Sequence, residues 1–250
     1  MNERLFDGKG EIYAQFRPSY PPALFDFLRD NGVLNPSSDA ADIGAGTGIF
    51  TRLLASRVRS VLAVEPNDDM RREGMRLCPG NVRFVSGSAE SAGLPDASLD
   101  LVTAAQAFHW FDRDAFRTEC RRILRPGGWV LLVWNQRDEN SPLIRALADL
   151  NRKFCPRFKG FSAGGNYNVD GFFQGRFRQA SFPNDSQCTE EAFIGRCLSS
   201  SYAPGSDDLP YRQALSGLFR RSCQEGVLSY PYVTVCFFGR LSDLEADAIL

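Results

Sequence analysis

The chain has 250 residues, of which 43% are hydrophobic and 24% are charged, and its formal net charge is −1. This composition is ordinary for a globular protein and supplies enough apolar residues for a full core, in one domain with an insertion or in a domain and a half. A net charge so close to zero gives no reason to expect a nucleic acid or an anionic membrane as a partner.

The cysteines and the hydropathy pattern indicate which cellular compartment to expect. The seven cysteines are scattered, and no pair has the spacing of zinc ligands, so we expect reduced thiols and no metal site. No basic segment followed by an apolar run opens the sequence, and no apolar run approaches about 18 residues. We therefore expect a cytoplasmic protein that is neither exported nor embedded in a membrane.

The first half of the sequence alternates between strand and helix patterns. After an irregular start, Pro22 begins a short helix that Gly32 ends. The apolar runs that follow predict five strands, in the order "AADIG", "SVLAVEP", "NVRFVSG", "SLDLVTAAQA" and "GGWVLLVW". Helices are predicted over residues 48–56, from a cap at Asn67 or Asp68, and over residues 112–124. This alternation predicts a parallel, doubly wound α/β sheet.

The second half is punctuated by glycine, proline and serine and gives weaker signals. Helices are predicted near residues 141–154, 189–198 and 209–225, and a strand near residues 177–184. The segment "YPYVTVCFFG" closes the pattern as a β-strand.

The stretch "ADIGAGTGIFTRLLA" places three glycines where the first strand ends and a helix begins. Glycine there allows a tight turn and a close approach of a ligand to the backbone, and the helix N-terminus offers free N–H groups. A dinucleotide site of the form G-x-G-x-x-G would need a third glycine at position 49, where Ile49 stands. The observed pattern is instead D-x-G-x-G-x-G, starting at Asp42.

This pattern resembles motif I of the class I S-adenosylmethionine-dependent methyltransferases. That cofactor presents an ammonium, a carboxylate and a sulfonium but no pyrophosphate, so an acidic residue beside the loop suits it. Glu65 ends the second strand, where the resemblance implies contact with both ribose hydroxyls; an NAD site places an acid similarly, and an exposed strand-end carboxylate is the alternative. The resemblance assigns these residues to cofactor binding: Asp42, Gly44, Ala45, Gly46, Glu65, Pro66, Met70 and Gln106.

The segment "GSAESAGLP" resembles the family pattern G-D-A-E-x-L-P after the third strand. Ser88 stands where the family commonly has aspartate, so its hydroxyl or the backbone of Ala89 would contact the adenine. Glu90 is a further cofactor candidate, with a structural role as the alternative. The segment "RRILRPGGWVLLVWN" resembles the family's helix–Pro-Gly-Gly–strand signature, in which Pro126 stops the helix and the glycines turn into strand five.

These motifs follow the family's order from Asp42 to Trp134, which implies a Rossmann-like, doubly wound, seven-stranded sheet with a partly helical cap inserted after strand five. The segments "YAQFRPSYP" and "YPYVTV" resemble the type 11 subgroup, which includes trans-aconitate methyltransferase-like enzymes. The implied organisation is a lid segment and helix over residues 1–35, a cofactor-binding core over 36–135, a substrate cap over 136–210, and a C-terminal helix and antiparallel strand over 211–250.

His109 is the only histidine in the chain and follows strand four, where family members line the acceptor site. We expect it either to act as a base or acceptor contact, or to pack beside Trp110 and Phe111. A phenol or alcohol acceptor would need a base, whereas a carboxylate with a pKa near ~4 would not. His109 and Trp110 are therefore candidates for the acceptor pocket, His109 also for catalysis.

Other candidates for substrate binding come from the resemblance and from position at the sheet edge. In the family the N-terminal segment folds over the cofactor, which would make Tyr13, Arg17 and Tyr20 a lid; an exposed arm is the alternative. Arg137, just beyond strand five, could bind a substrate carboxylate. Tyr202 is a weaker candidate, for which packing is the alternative.

The leading hypothesis is methyl transfer from S-adenosyl-L-methionine to a small-molecule acceptor, such as a carboxylate, by in-line displacement. A non-catalytic domain that binds S-adenosylmethionine or another nucleoside on the same fold is the alternative. An NAD-dependent oxidoreductase is disfavoured by Ile49. Methylation of nucleic acid is disfavoured because "TAAQAFHW" stands where an "NPPY"-type motif would be expected.

Overall fold

The computed structural model describes residues 18–161, 168–200, 202–205 and 207–241. The helices are α1 (Pro22–Asp30), α2 (Ile49–Ala55), α3 (Asp68–Leu77), α4 (Arg113–Ile123), α5 (Pro142–Phe154), α6 (Val169–Phe173), α7 (Glu190–Leu198) and α8 (Leu209–Ser222). The strands are β1 (Asp39–Ile43), β2 (Ser60–Val64), β3 (Val82–Val85), β4 (Leu99–Ala105), β5 (Leu124–Arg137), β6 (Arg178–Pro183), β7 (Ser186–Cys188), β8 (Leu228–Tyr230) and β9 (Tyr232–Gly239).

A seven-stranded sheet forms the centre of the molecule, in the order β3-β2-β1-β4-β5-β9-β6. The first five of these strands are mutually parallel, and β9 pairs antiparallel with both β5 and β6. Within this register Asp42 on β1 lies between Ala63 on β2 and Thr103 on β4. The prediction of a doubly wound, seven-stranded α/β sheet is confirmed.

Both faces of the sheet are covered, which explains why its parallel strands are mostly apolar. On one face α1 and α2 bury Leu24, Leu28 and Leu54. On the other face α4 and α6 bury Phe116 and Phe172. The Asn67 side chain accepts a hydrogen bond at the start of α3, as predicted, and the Asp112 side chain caps the start of α4 in the same way.

A third cluster of buried side chains holds together a cap made of α5, α7, α8 and the antiparallel pair β7–β8. Helix α8 packs against both α5 and α7, and β6 belongs to the main sheet, so these contacts cross the predicted boundary at residue 210. The five-residue α6 and the three-residue β7 were not predicted, because such short elements carry no readable hydrophobic period.

The helix–strand connection at Pro126 differs in detail from the prediction. Helix α4 ends at Ile123, and the backbone is already extended at Leu124, where β5 begins. Proline disfavours helical geometry in the residue before it, so the helix ends ahead of Pro126 rather than at it. The segment from Arg125 to Gly128 then forms a bulge, because the pairing with β4 jumps from Leu99–Leu124 to Leu101–Trp129.

All seven cysteines are free thiols. Across the described ranges, none of the helices has the combination of length and apolar character that crossing a bilayer requires.

Candidate active site

The glycine loop between β1 and α2 is shaped by three residues with positive φ. Gly44, Gly46 and Gly48 have φ of +70°, +56° and +78°. A Cβ atom on Gly44 would lie 2.6 Å from the Cβ of Ala107, and one on Gly48 would lie 2.5 Å from the Sγ of Cys78. Among the described residues, no atom beyond the chain neighbours of Gly46 lies within 4 Å of the same position on Gly46. The outer two glycines are thus required by packing, while Gly46 leaves an open, side-chain-free surface.

A cavity of about 350 Å³, here termed the central cavity, opens above this loop. It lies at the carboxyl ends of β1, β4 and β5, where open α/β sheets bind their ligands. Its walls come from the glycine loop, the strand ends, the start of the described chain and the cap: Pro18, Tyr20, Asp42, Gly44, Ala45, Gly46, Thr47, Ile49, Phe50, Ala105, Gln106, Asn135, Gln136, Arg137, Glu139, Phe161 and Tyr232.

Asp42 is fully buried at the base of the glycine loop. Its Oδ2 accepts a hydrogen bond from the Thr51 hydroxyl at 2.6 Å, and its Oδ1 accepts one from the Thr103 hydroxyl at 2.8 Å. Burial raises the pKa of Asp42 to about 6, the two hydroxyls oppose the rise, and the negative charge of Glu65 adds to it. A cation next to the loop would stabilise the charged form of this carboxylate.

Glu65 connects the end of β2 to the glycine loop. Its Oε2 accepts from the backbone N–H of Gly46 at 2.8 Å, and its Oε1 accepts from the N–H of Asn67 at 2.9 Å. Each carboxylate oxygen can accept more than one hydrogen bond, so this arrangement still allows contact with hydroxyl groups. Pro66 follows directly, and the buried Met70 sits in the first turn of α3, where its N–H donates to Asn67.

The residues predicted to contact adenine lie after β3 and outside the lining of the central cavity. Ser88 forms a local turn, in which its hydroxyl accepts from the N–H of Ser91 at 3.2 Å. Ala89 is buried. The Glu90 carboxylate accepts from the N–H of Asp112 at 3.0 Å and so braces the start of α4. This contact is the structural role that the sequence leaves open for Glu90.

His109 lies on a single 3₁₀ turn, Phe108–Trp110, that follows β4. The ring is exposed to solvent, and its Nδ1 is 3.5 Å from the indole Nε1 of Trp134. The neighbouring Trp110 is 48% exposed, and the two ring centroids are 4.9 Å apart. Neither His109 nor Trp110 lines the central cavity.

Arg137 lies at the end of β5, and its guanidinium is held between the sheet and the cap. Nε donates to the hydroxyl of Tyr230 at 2.8 Å, and the group lies 4.5 Å from the ring centroid of Phe161. Burial acts to lower the pKa of Arg137 and the neighbouring tyrosine hydroxyls act to raise it, with a net upward direction. Within the described residues, no carboxylate pairs with this guanidinium and no hydrogen bond engages its Nη atoms.

The remaining lid and substrate candidates are distributed unevenly. Tyr20 is buried, lines the central cavity and packs edge-on against Phe50, with ring centroids 5.0 Å apart. Tyr202 does not line the cavity: its ring packs on Phe158, with centroids 4.9 Å apart, and its hydroxyl interacts electrostatically with Arg137. Tyr13 and Arg17 lie outside the described residues.

Among the cavity-lining residues that were not predicted, Asn135 and Thr47 bear most directly on the chemistry of the site. Asn135 is two positions before Arg137 on β5, so the two side chains share one face of the strand, and this period was readable in the sequence. Thr47 has a buried hydroxyl oxygen with no hydrogen-bond partner in the described part of the chain, and no sequence signal distinguishes it from an ordinary loop threonine.

The residues at the loop fit S-adenosylmethionine. Gly46 offers backbone in a position where a side chain would fill the open space, and the acidic groups of Asp42 and Glu65 flank it. A diphosphate would meet two negative charges here instead.

Comparison with known proteins gives a consistent family. The methyltransferase-domain family model matches residues 41–132. An uncharacterized methyltransferase-like protein of Schizosaccharomyces pombe is 35% identical over 68% of this chain and 67% of its own length. A malonyl-[acyl-carrier protein] O-methyltransferase of Methylococcus capsulatus is 39% identical over 37% of this chain and 36% of its own length.

A solved structure from Anaeromyxobacter dehalogenans, assigned as a type II methyltransferase, superposes with a TM-score of 0.70. It is 28% identical, and the match covers 90% of this chain and 98% of that one. Five curated relatives from S. pombe and Mycobacterium are matched over 55% to 67% of their own length. The loop geometry, the sheet order and these relatives agree: the chain belongs to the class I S-adenosylmethionine-dependent methyltransferases.

Proposed function

We propose that this protein methylates a small-molecule acid at a carboxylate oxygen, with S-adenosylmethionine as the methyl donor. The observation that carries the proposal is the end of the Arg137 guanidinium in the wall of the central cavity, whose Nη atoms have no hydrogen-bond partner among the described residues. A partly buried cation without a counter-charge is unfavourable, and a carboxylate is the group that its two Nη atoms fit best.

The cofactor supplies an already activated methyl group, so the protein has to bind, orient and exclude water. In this proposal the backbone at Gly44–Gly46 and the carboxylates of Asp42 and Glu65 hold the cofactor. Arg137 holds the acid on the opposite wall, and Phe161 and Tyr232 exclude water around it. A carboxylate is ionised at neutral pH and needs no base, which agrees with the position of His109 outside the cavity lining.

The relative named for O-methylation of a malonyl group supports the acid class, although it covers only part of this chain. The subgroup resemblance adds unsaturated di- and tricarboxylates to the compounds worth testing.

The test is to incubate the protein with S-adenosylmethionine carrying an isotope-labelled methyl group, together with a small-molecule extract and a panel of carboxylic acids. We expect label in a small acid, released as methanol by mild alkali because the product is an ester. Alkali-stable label, label in protein or nucleic acid, or binding of the donor with no transfer to any compound would each contradict the proposal.

The variant Arg137→Gln tests the role of the guanidinium in the same assay. We expect the KM for the acid to rise about 10-fold to 100-fold, the range for a lost hydrogen bond to a charged group, with donor affinity retained. Arg240→Gln is a matched control, because Arg240 also stacks on an aromatic ring, 4.4 Å from the centroid of Trp129, but does not line the central cavity. An unchanged KM in Arg137→Gln would refute this role.

A further inference from the structure

Gln106, which follows β4 and lines the central cavity, has a backbone conformation that glutamine rarely adopts. Its φ is +58°, and its N–H is fixed by donation to the carbonyl of Val133 at 2.8 Å. The left-handed conformation is unfavourable for a residue with a Cβ atom, and glycine would avoid the cost. Strain of this kind persists where the surrounding structure enforces it, and it clusters at binding sites.

The orientation of the Gln106 side-chain amide is set by its partner. Nε2 donates to the main-chain carbonyl of Asn135 at 3.0 Å. A carbonyl only accepts hydrogen bonds, so the nitrogen has to be on that side and Oε1 on the other. No described residue donates to Oε1. The cavity wall therefore contains a hydrogen-bond acceptor, Oε1 of Gln106, whose direction is fixed and which has no donor among the described residues.

Asn135 is itself held from three directions. Its Oδ1 accepts from the Thr234 hydroxyl on β9 at 2.5 Å and from Nδ2 of Asn184 at 3.0 Å. Its Nδ2 donates to the carbonyl of Ser19 at 3.1 Å, and the same carbonyl accepts from Asn184 at 2.8 Å. These contacts fix the end of β5 against β9 and against the start of the described chain. The carbonyl that orients Gln106 is thus part of a rigid network.

We propose that Gln106 selects for a hydrogen-bond donor on the ligand in the central cavity. Its Oε1 accepts a hydrogen bond from an N–H or O–H group of the ligand, and Asn135 is the residue that positions Gln106. Together with Arg137, the cavity then offers one fixed acceptor and one cationic donor, which matches a ligand carrying both a donor group and a carboxylate. Carbonyl or ether oxygens placed at Gln106 are disfavoured, since two acceptors would face each other.

Two ligands could supply the donor group. One is the α-ammonium of the methionine part of S-adenosylmethionine, and the other is a hydroxyl or amine of the methyl acceptor. This inference rests on the proposed function only in taking the central cavity as the place where donor and acceptor bind.

The experiment is calorimetric titration of the wild type and of Gln106→Met and Gln106→Gly with S-adenosylhomocysteine and with 5′-methylthioadenosine, which lacks the amino-acid part. If the ammonium is the partner, both variants bind S-adenosylhomocysteine about 10-fold to 100-fold more weakly, and the affinity for 5′-methylthioadenosine stays within about twofold. If the acceptor is the partner, both affinities stay unchanged and the KM for the acceptor rises instead by a similar factor.

Gln174 provides a matched control, because it is a second glutamine with positive φ, +52°, and it is exposed and does not line the cavity. Gln174→Gly relieves the same backbone strain, so we expect unchanged binding of both nucleosides. Gln106→Gly also removes the strain of its own position, so a thermal midpoint close to that of the wild type is expected even though ligand affinity falls. That combination separates a binding role from a folding role.

Thr234→Val and Thr234→Ser test the positioning role of Asn135. Thr234→Val removes the hydroxyl and is expected to weaken binding of the same ligand whose binding Gln106→Met weakens. Thr234→Ser keeps a hydroxyl and is expected to bind that ligand as the wild type does. The inference is overturned if Gln106→Met changes neither S-adenosylhomocysteine affinity nor acceptor KM by more than about twofold, or if it weakens both nucleosides equally. A protein that binds S-adenosylhomocysteine but transfers no methyl group would refute the proposed function and leave the titration valid as a test of Gln106.

Discussion

The buried Asp42 carboxylate should make the stability of the protein depend on pH in a way that one substitution removes. In Asp42→Asn the side chain keeps its size and can still form hydrogen bonds with the hydroxyls of Thr51 and Thr103, but it carries no charge. The substitution therefore isolates the free energy of holding a charge at this position from the packing around it.

The magnitude follows from the pKa. Burial raises the pKa of Asp42 to about 6 in the folded chain, compared with 3.8 in the unfolded chain. The folded state thus binds the proton more tightly, so the contribution to stability is fully present below about pH 4 and is lost as the pH rises to 6. A difference of about two pKa units corresponds to about 3 kcal/mol, which is the free energy that the charged Asp42 costs the folded protein at neutral pH.

The assay is urea unfolding of the wild type and of Asp42→Asn at several pH values between 4 and 7.5. Other titrating groups contribute equally to both proteins, so the difference in unfolding free energy should grow in favour of the variant by about 3 kcal/mol and level off above pH 6.5. The affinity for S-adenosylhomocysteine should fall at the same time. A difference in unfolding free energy that stays constant across the pH range, or that shrinks as the pH rises, would refute the raised pKa of Asp42.

Four further substitutions test the surrounding residues. Gly48→Ala should lower the free energy of unfolding by about 1–3 kcal/mol, because its Cβ would meet Cys78 at 2.5 Å at a φ of +78°. Gly46→Ala should instead mainly weaken the binding of S-adenosylhomocysteine, measured by calorimetry. Equal losses of stability in the two variants would contradict this distinction between the glycines. Glu90→Ala should lower the free energy of unfolding by about 1 kcal/mol in chemical denaturation, with nucleoside affinity unchanged, because Glu90 accepts a hydrogen bond at the start of α4. A loss of nucleoside affinity without a loss of stability would show a cofactor-binding role instead. His109→Ala should retain turnover of a carboxylate acceptor, and a large fall in kcat would establish His109 as a base.

The sequence was sufficient for the sheet and for the glycine loop, because both depend on patterns within ten to fifteen residues. Continuous apolar runs separated by helical periods specify parallel strands, and the spacing of Asp42 from its glycines specifies the loop. The contacts that give the central cavity its chemistry are of another kind. Arg137 meets Tyr230 and Gln106 meets Asn135 across separations of 93 and 29 residues, and no local pattern records such pairs.

The cap is a second case in which contacts between distant segments could not be predicted from the sequence. Its helices α5, α7 and α8 were predicted from their own periods, but their common core joins segments on either side of β6. The positive φ of Gln106 is equally a consequence of its surroundings, since nothing in "TAAQAFHW" requires a left-handed residue. The sequence therefore predicted the edge of the sheet where the candidate site lies, and only the assembled fold showed which polar groups there have no partner among the described residues.

Within the described residues, four locally unfavourable features meet at this one cavity: a buried carboxylate with a raised pKa at Asp42, an amide oxygen without a donor at Gln106, a hydroxyl without a partner at Thr47, and a guanidinium without a carboxylate at Arg137. Each would be relieved by a different group, namely a cation, a hydrogen-bond donor, an acceptor and an anion. Sequences break local rules mostly where function requires it. A pair of ligands that carries all four groups, such as an amino-acid-bearing sulfonium and an organic acid, would relieve the whole set at once, so ligand binding should stabilise the fold as well as prepare the reaction.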